Sequence, residues 1–390
     1  MAAAWDVLPT WLNRGLRGIN TLAVPFLTED DGGEDDYDLL PPPRPLTTLQ
    51  LMGIAFFAVS GSAYGVEEIV PAGGPFLSLL SLLLAPVVWS APMLMITSEL
   101  SVALPRSGGY IVWIEESLGA MPSLLNGVSN LLCNVLDCSL YPLLLTQYLR
   151  EVFVIAAARG GGDDAVNPSV GLSEASLGLV RLLLVGLAAG LNVIGINVVG
   201  AAAGVLMLVV SLPFVALVAA AAAQPHADPS VWFDADPRAF PSGRSGWYFF
   251  GCLILWNCCG YDSAGMVAAE VRSPRSAYPR ALWGTLILTT LLYVLPLAAA
   301  LATATHWETW EPGQYAALGA ELGGPWLEFA LAAASVVSMV GVLCTLLCTS
   351  SRAIAGMDST GTSSPTTLGC STSFSLSSKP SMNVNITGEN

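Results

Sequence analysis

Charge is what this sequence has least of. Asp, Glu, Lys and Arg together make up 11% of its 390 residues, against about 25% in ordinary globular domains. So few charges cannot cover a water-facing surface, which excludes a soluble globular fold. Histidine is nearly absent as well: His226 and His306 are the only two, both in stretches between apolar runs. The eight cysteines form no CxxC pair, and none stands at metal-ligand spacing from a histidine, so no metal site is expected. Neither a nucleophile–base arrangement nor a cofactor motif occurs, and an enzyme is not expected. Basic residues are scarce and unclustered outside the loops, which excludes nucleic acid as a partner.

What fills the chain is apolar: 54% of residues are hydrophobic and the mean hydropathy is +0.63. A hydrocarbon core of about 30 Å takes roughly 20 apolar residues per helix. Eight candidate spans follow, at about 46–69, 76–97, 122–155, 176–196, 200–223, 247–271, 280–303 and 325–350. The expected class is an all-α, multi-pass integral membrane protein of the plasma membrane or an endomembrane, with the lipid bilayer around it. The third span is overlong, so it is expected to tilt or to extend beyond the bilayer.

Both ends read differently. Residues 1–45 carry "EDDGGEDDYD", with seven acids between Glu29 and Asp38, followed by "LLPPPRP"; this composition is expected to stay disordered. With that leader in the cytoplasm, eight loop arginines lie inside and five outside, and "VRSPRSAYPR" is the densest basic loop. The bias favours a cytoplasmic N-terminus. From Ser351 to Asn390, 16 of 40 residues are Ser or Thr, and a disordered tail is expected there.

Two spans are interrupted. In the first, Ser60, Gly61, Ser62 and Gly65 stand within "AVSGSAYGVEEIVPAGGP"; in the sixth, Gly260 and Gly265 bracket Tyr261 and Asp262 within "WNCCGYDSAG". An unwound stretch in a membrane leaves backbone groups unpaired, which is tolerated only where protein or a cavity surrounds them. Two interrupted helices five spans apart point to an inverted-repeat transporter with its site at the repeat interface. The plainer alternative is a pair of close-packed glycine seams. On the third span Asn130, Asn134, Asp137 and Tyr141 stand at i, i+4, i+7 and i+11. They fall within about 60° on a helix of 100° per residue, a polar stripe that faces either a cavity or an interhelical hydrogen-bond seam. Glu67 and Glu68 follow the first break. They either stabilise a half-helix N-terminus or repel anions and favour a cationic substrate.

These segments also resemble the amino acid–polyamine–organocation (APC) superfamily, and within it the plant-type polyamine uptake transporters. The resemblance is carried by "GVEEIVPAGGPFLSLL", "ITSELSVALPRSGGYIVWIEESLG", "VLDCSLYPLLLTQYL" and "LILWNCCGYDSAGMVAAEVRSPRSAYPRAL". It implies a five-plus-five inverted-repeat fold with helices 1 and 6 broken. It also implies alternating access around a mid-membrane site for a small cationic substrate, with a proton as coupling ion. The substrate-binding residues implied are Gly61, Ser62, Gly65, Glu67, Asn134, Asp137, Tyr141, Trp256, Asn257, Tyr261 and Asp262, with Arg106 and Glu270 in the cytoplasmic closure. "GSAYG" departs from the group's Gly–Gly–Pro–Phe–Gly form and keeps an amino acid substrate open. The resemblance stops near "CTSSRAIAGMDSTGTSS". A partial fold is therefore expected, with about 8 of the usual 10–12 helices, and a non-transporting truncated product stays open.

Overall fold

A computed structural model describes residues 44–159, 173–236, 239–303, 306–311 and 313–359. The leader up to residue 43 and the tail from residue 360 lie outside the described residues. The first helix, α1 (Thr48–Val59), starts at a capping box in which Thr47 and Gln50 bond each other's backbone. It ends after 12 residues, about 18 Å, which is too short to cross a bilayer. The chain then turns through Gly61 (φ 68°), Ser62 (φ 113°) and Gly65 (φ 90°) and becomes helical again at Ile69, the start of α2 (Ile69–Ala85).

A π-helical turn at Pro86–Ser90 leads α2 into α3 (Ala91–Ala103), and the short α4 (Tyr110–Leu118) connects onward. Next come α5 (Ala120–Arg159), α6 (Glu174–Ile194), α7 (Ile196–Ala222) and α8 (Gly243–Cys258). After α8 the chain tightens into a 3-10 segment, Tyr261–Glu270, before α9 (Pro274–Thr303), α10 (Gln314–Gly323) and α11 (Pro325–Ser359). Among the described residues the one extended pairing is a parallel bridge between Leu46 and Val271.

Six stretches are long and apolar enough to cross a membrane, by length and composition: Ile69–Ala103, Ala120–Arg150, Glu174–Ile194, Ile196–Ala222, Pro274–Thr303 and Pro325–Asp358. The two expected spans that fall short are those at 46–69 and 247–271, the two that carry the breaks. At 40 residues and 1.5 Å per residue, α5 is twice as long as a bilayer requires. The last helix continues through 351–359, into what composition assigns to the tail. Arg352 explains this, because it reaches Glu270, while Ala353 packs with Ile111 and Met266.

The broken elements sit at the centre. Leu51, Ile54, Phe56 and Phe57 of α1 and Val267 and Ala268 of the 3-10 segment are buried. On α5 and α6, by contrast, Leu132, Leu136, Leu182 and Leu183 are exposed, as lipid-facing side chains are. One face of α11 is polar and buried, with Ser335, Ser338, Thr345 and Thr349 in a row.

Candidate functional site

The first break is held by hydrogen bonds that replace the lost helical ones. The amides of Ser60 and Gly61 both donate to the Phe56 carbonyl, and the Ser62 amide donates to Ser60 Oγ at 2.9 Å. From α11, the Ser338 hydroxyl donates to the Gly61 carbonyl. The Tyr64 hydroxyl donates to the Leu331 carbonyl at 2.7 Å. One group is left over: Ser62 Oγ is buried with no partner.

The second break adjoins the first. The carbonyl of Cys258 at the end of α8 accepts from Ser90 Oγ at 2.7 Å. Gly260, at φ 102°, then crosses α1 so closely that a Cβ there would lie 3.1 Å from Val59 Cα and nearer still to the Ala58 carbonyl oxygen. Only glycine combines that dihedral with that approach. Tyr261 is buried with its hydroxyl 3.2 Å from Thr289 Oγ1. Asp262 occupies the first turn of the 3-10 segment, where the Ser263 amide donates to the Gly260 carbonyl at 3.2 Å.

Asp262 borders a cavity of about 270 Å³ shared with Met93, Ile96 and Thr97 of α3, Tyr110 and Trp113 of α4, and Asn126 and Asn130 of α5. Burial, with the Asp262 charge adding to it, pushes the Tyr110 phenol up from its ordinary pKa, so it stays a neutral hydroxyl. Two buried donors here, Trp113 Nε1 and Asn126 Nδ2, have no hydrogen-bond partner. A small site with one carboxylate and orphaned N–H groups suits a ligand of mixed polarity.

The sequence-derived residues are only partly brought together. Of the α5 stripe, Asn130 reaches the cavity and accepts from Asn134 Nδ2 at 2.8 Å. Tyr141 packs where two apolar clusters meet, and Asp137 is half-buried. Glu67 is not among the residues that line this cavity: it is fully buried, and its oxygens accept the amides of Gly65 and Gly313 at 2.9 Å each. Trp256 is 60% exposed. The buried face of α8 is Phe250, Ile254 and Cys258, so a residue two past Ile254 lies on the opposite side of the helix. Asn257 bonds the Leu253 carbonyl of its own helix at 2.9 Å.

Arg106 and Glu270, the two residues expected in the cytoplasmic closure, stand in separate ion pairs. Arg106 meets Glu116 at 3.0 Å on an exposed surface. Glu270 takes a bidentate contact from Arg352 of α11 at 2.7 and 2.9 Å. Beside that pair, the Leu46 amide donates to the Glu270 carbonyl and the Arg272 amide to the Leu46 carbonyl. Sequence reasoning passed over Asn126, Tyr110, Trp113 and Ser338. Asn126 lies one turn before Asn130 and extends the same stripe, and Ser335, Ser338, Thr345 and Thr349 repeat at i, i+3, i+10 and i+14 on an apolar span. Both signals were present in the spacing.

The amino acid permease family model matches residues 46–362. The chain belongs to the amino acid permease family. It is a multi-pass integral membrane protein of the APC superfamily.

A probable polyamine transporter of Arabidopsis thaliana is 33% identical over 313 residues, covering 79% of this chain and 60% of that protein. A polyamine transporter of Oryza sativa subsp. japonica is 31% identical over 319 residues, covering 82% and 56%. This family member thus spans about 60% of the length of the curated relatives it matches. The crystal structure of MhsT in complex with L-phenylalanine shares the fold, with a TM-score of 0.59 at 12% identity over 84% of this chain and 81% of that one.

Proposed function

We propose that the chain carries the substrate site of a secondary active transporter for polyamines of the putrescine and spermidine class. The mechanism is alternating access, coupled to protons. The observation that carries this reading is Asp262, a carboxylate at the crossing of the two breaks and on the rim of the cavity. An ammonium group placed there replaces its hydration shell with the carboxylate and the surrounding hydroxyl and amide oxygens. Asp137, further along the same helix as Asn130 and half-buried, is a second carboxylate for a substrate with two separated charges. The names of the plant relatives support the same substrate class. The Gly61–Gly65 backbone, Ser62, Asn134, Tyr141, Asn257 and Tyr261 complete the proposed surroundings, with Trp256 outside them. The cytoplasmic end is closed by the Glu270–Arg352 pair.

A second reading rests on one specific feature. Trp113 Nε1 and Asn126 Nδ2 are donors without acceptors, and a polyammonium ion brings only donors. The carboxylate of an amino acid would satisfy them while its ammonium meets Asp262. Uptake of labelled putrescine, arginine and leucine into vesicles separates the two. Putrescine uptake that excess leucine leaves unchanged is expected, and leucine uptake indifferent to excess putrescine would replace the polyamine reading. Vesicles that bind and move none of the three would instead favour a chain that does not transport alone.

A further inference from the structure

Glu67 is a charged side chain with no exposure at all. Burying a carboxylate is strongly unfavourable unless it is fully hydrogen-bonded, so its partners define what it does. Oε2 accepts the Gly65 amide and Oε1 the Gly313 amide, both at 2.9 Å. Gly65 belongs to the first break. Gly313 immediately precedes α10 and is held at φ 94°. Both amides are therefore aimed by backbone conformations that glycine adopts readily and other residues do not.

The surroundings close over this contact. The Tyr64 ring lies 5.0 Å from that of Phe214 and 5.9 Å from that of Tyr148, and Phe214 lies 5.2 Å from Tyr315 in the first turns of α10. Phe214 and Tyr315 are almost without exposure. Glu68, the adjacent acid, is only partly buried and has no part in the bridge.

We propose that Glu67 is a latch: a positioning residue that ties the α10 connection to the first-span break and keeps that end of the bundle shut, without touching substrate. For α10 to swing away, the Gly65 and Gly313 amides must both give up their acceptor. Opening this end is thereby linked to rearrangement of the 61–65 backbone that borders the substrate region. The latch goes beyond the transport reading and does not depend on which amine is carried.

Hydrogen–deuterium exchange of the full chain in nanodiscs tests it, comparing wild type with Glu67→Gln. Glutamine keeps the size but has a single acceptor oxygen, so one glycine amide loses its partner. Exchange in peptides covering 61–66 and 313–320 is expected to rise about tenfold. Peptides from 325–350 should stay unchanged, and putrescine affinity should stay within about twofold of wild type. Unchanged exchange with weakened putrescine binding would overturn the latch and make Glu67 a substrate ligand. A rise spread evenly over all helices would overturn it too, by making Glu67 a general packing residue.

Discussion

Asp262, Ser338 and Trp256 illustrate how differently three polar or amphipathic side chains in apolar helices are used. Asp262 sits at a break and on a cavity, and an ionisable side chain within a membrane domain is a candidate functional group. Ser338 is buried and donates to the Gly61 carbonyl, an oxygen that the broken helix cannot satisfy itself. Removing one partner of a buried hydrogen bond costs about 1–3 kcal/mol, so Ser338→Ala is expected to lower the thermal midpoint of the detergent-solubilised protein by a few degrees. Trp256→Ala is the contrasting case. The ring is 60% exposed on the outside of α8, and surface substitutions of this kind usually stay within about ±0.5 kcal/mol. The same melt should therefore hardly change, and a large loss there would show that the ring packs on something other than lipid.

At the scale of elements, the account turns on the crossing of two short half-helices. Gly260→Ala would force a Cβ against the Ala58 carbonyl at a positive φ. A cost of about 1–3 kcal/mol or more is expected, read as a lower midpoint or a failure to accumulate in membranes. The end of α11 gives an independent case. Arg352→Met would leave the Glu270 carboxylate, with 27% side-chain exposure, without its bidentate partner. The 351–359 turn should then fray, seen as faster hydrogen exchange confined to that turn and to 266–272. Much of this was legible in the sequence, because glycine and serine clusters in an apolar run mark a break wherever the bilayer forbids unpaired backbone. The continuation of α11 was not. Its Ser-rich composition from Ser351 onward resembles a tail, and what keeps it helical is a contact with residue 270, far off in sequence. The face of α8 that carries Trp256 was hidden for a related reason, since position in a motif says nothing about which way a helix is turned.

At the scale of the whole molecule, apolar run length marks eight candidate spans, because the solvent fixes the length of any helix that crosses it; the glycine clusters mark the two that are broken, and among the described residues six stretches are long enough to cross. What run length cannot convey is which carboxylates meet. Glu67 and Asp262 are both acids beside glycine breaks, yet one has both oxygens on backbone amides and the other borders a cavity. The difference is made by Gly313, a residue 246 positions from Glu67. The central claim is that Asp262 is the amine-binding carboxylate of this fold. Its most direct test is equilibrium binding of labelled putrescine to the purified chain in nanodiscs, wild type against Asp262→Asn. Saturable binding weakened tenfold or more by the substitution, about 1.4 kcal/mol, is the predicted result. Equal affinity in the two proteins would contradict the account.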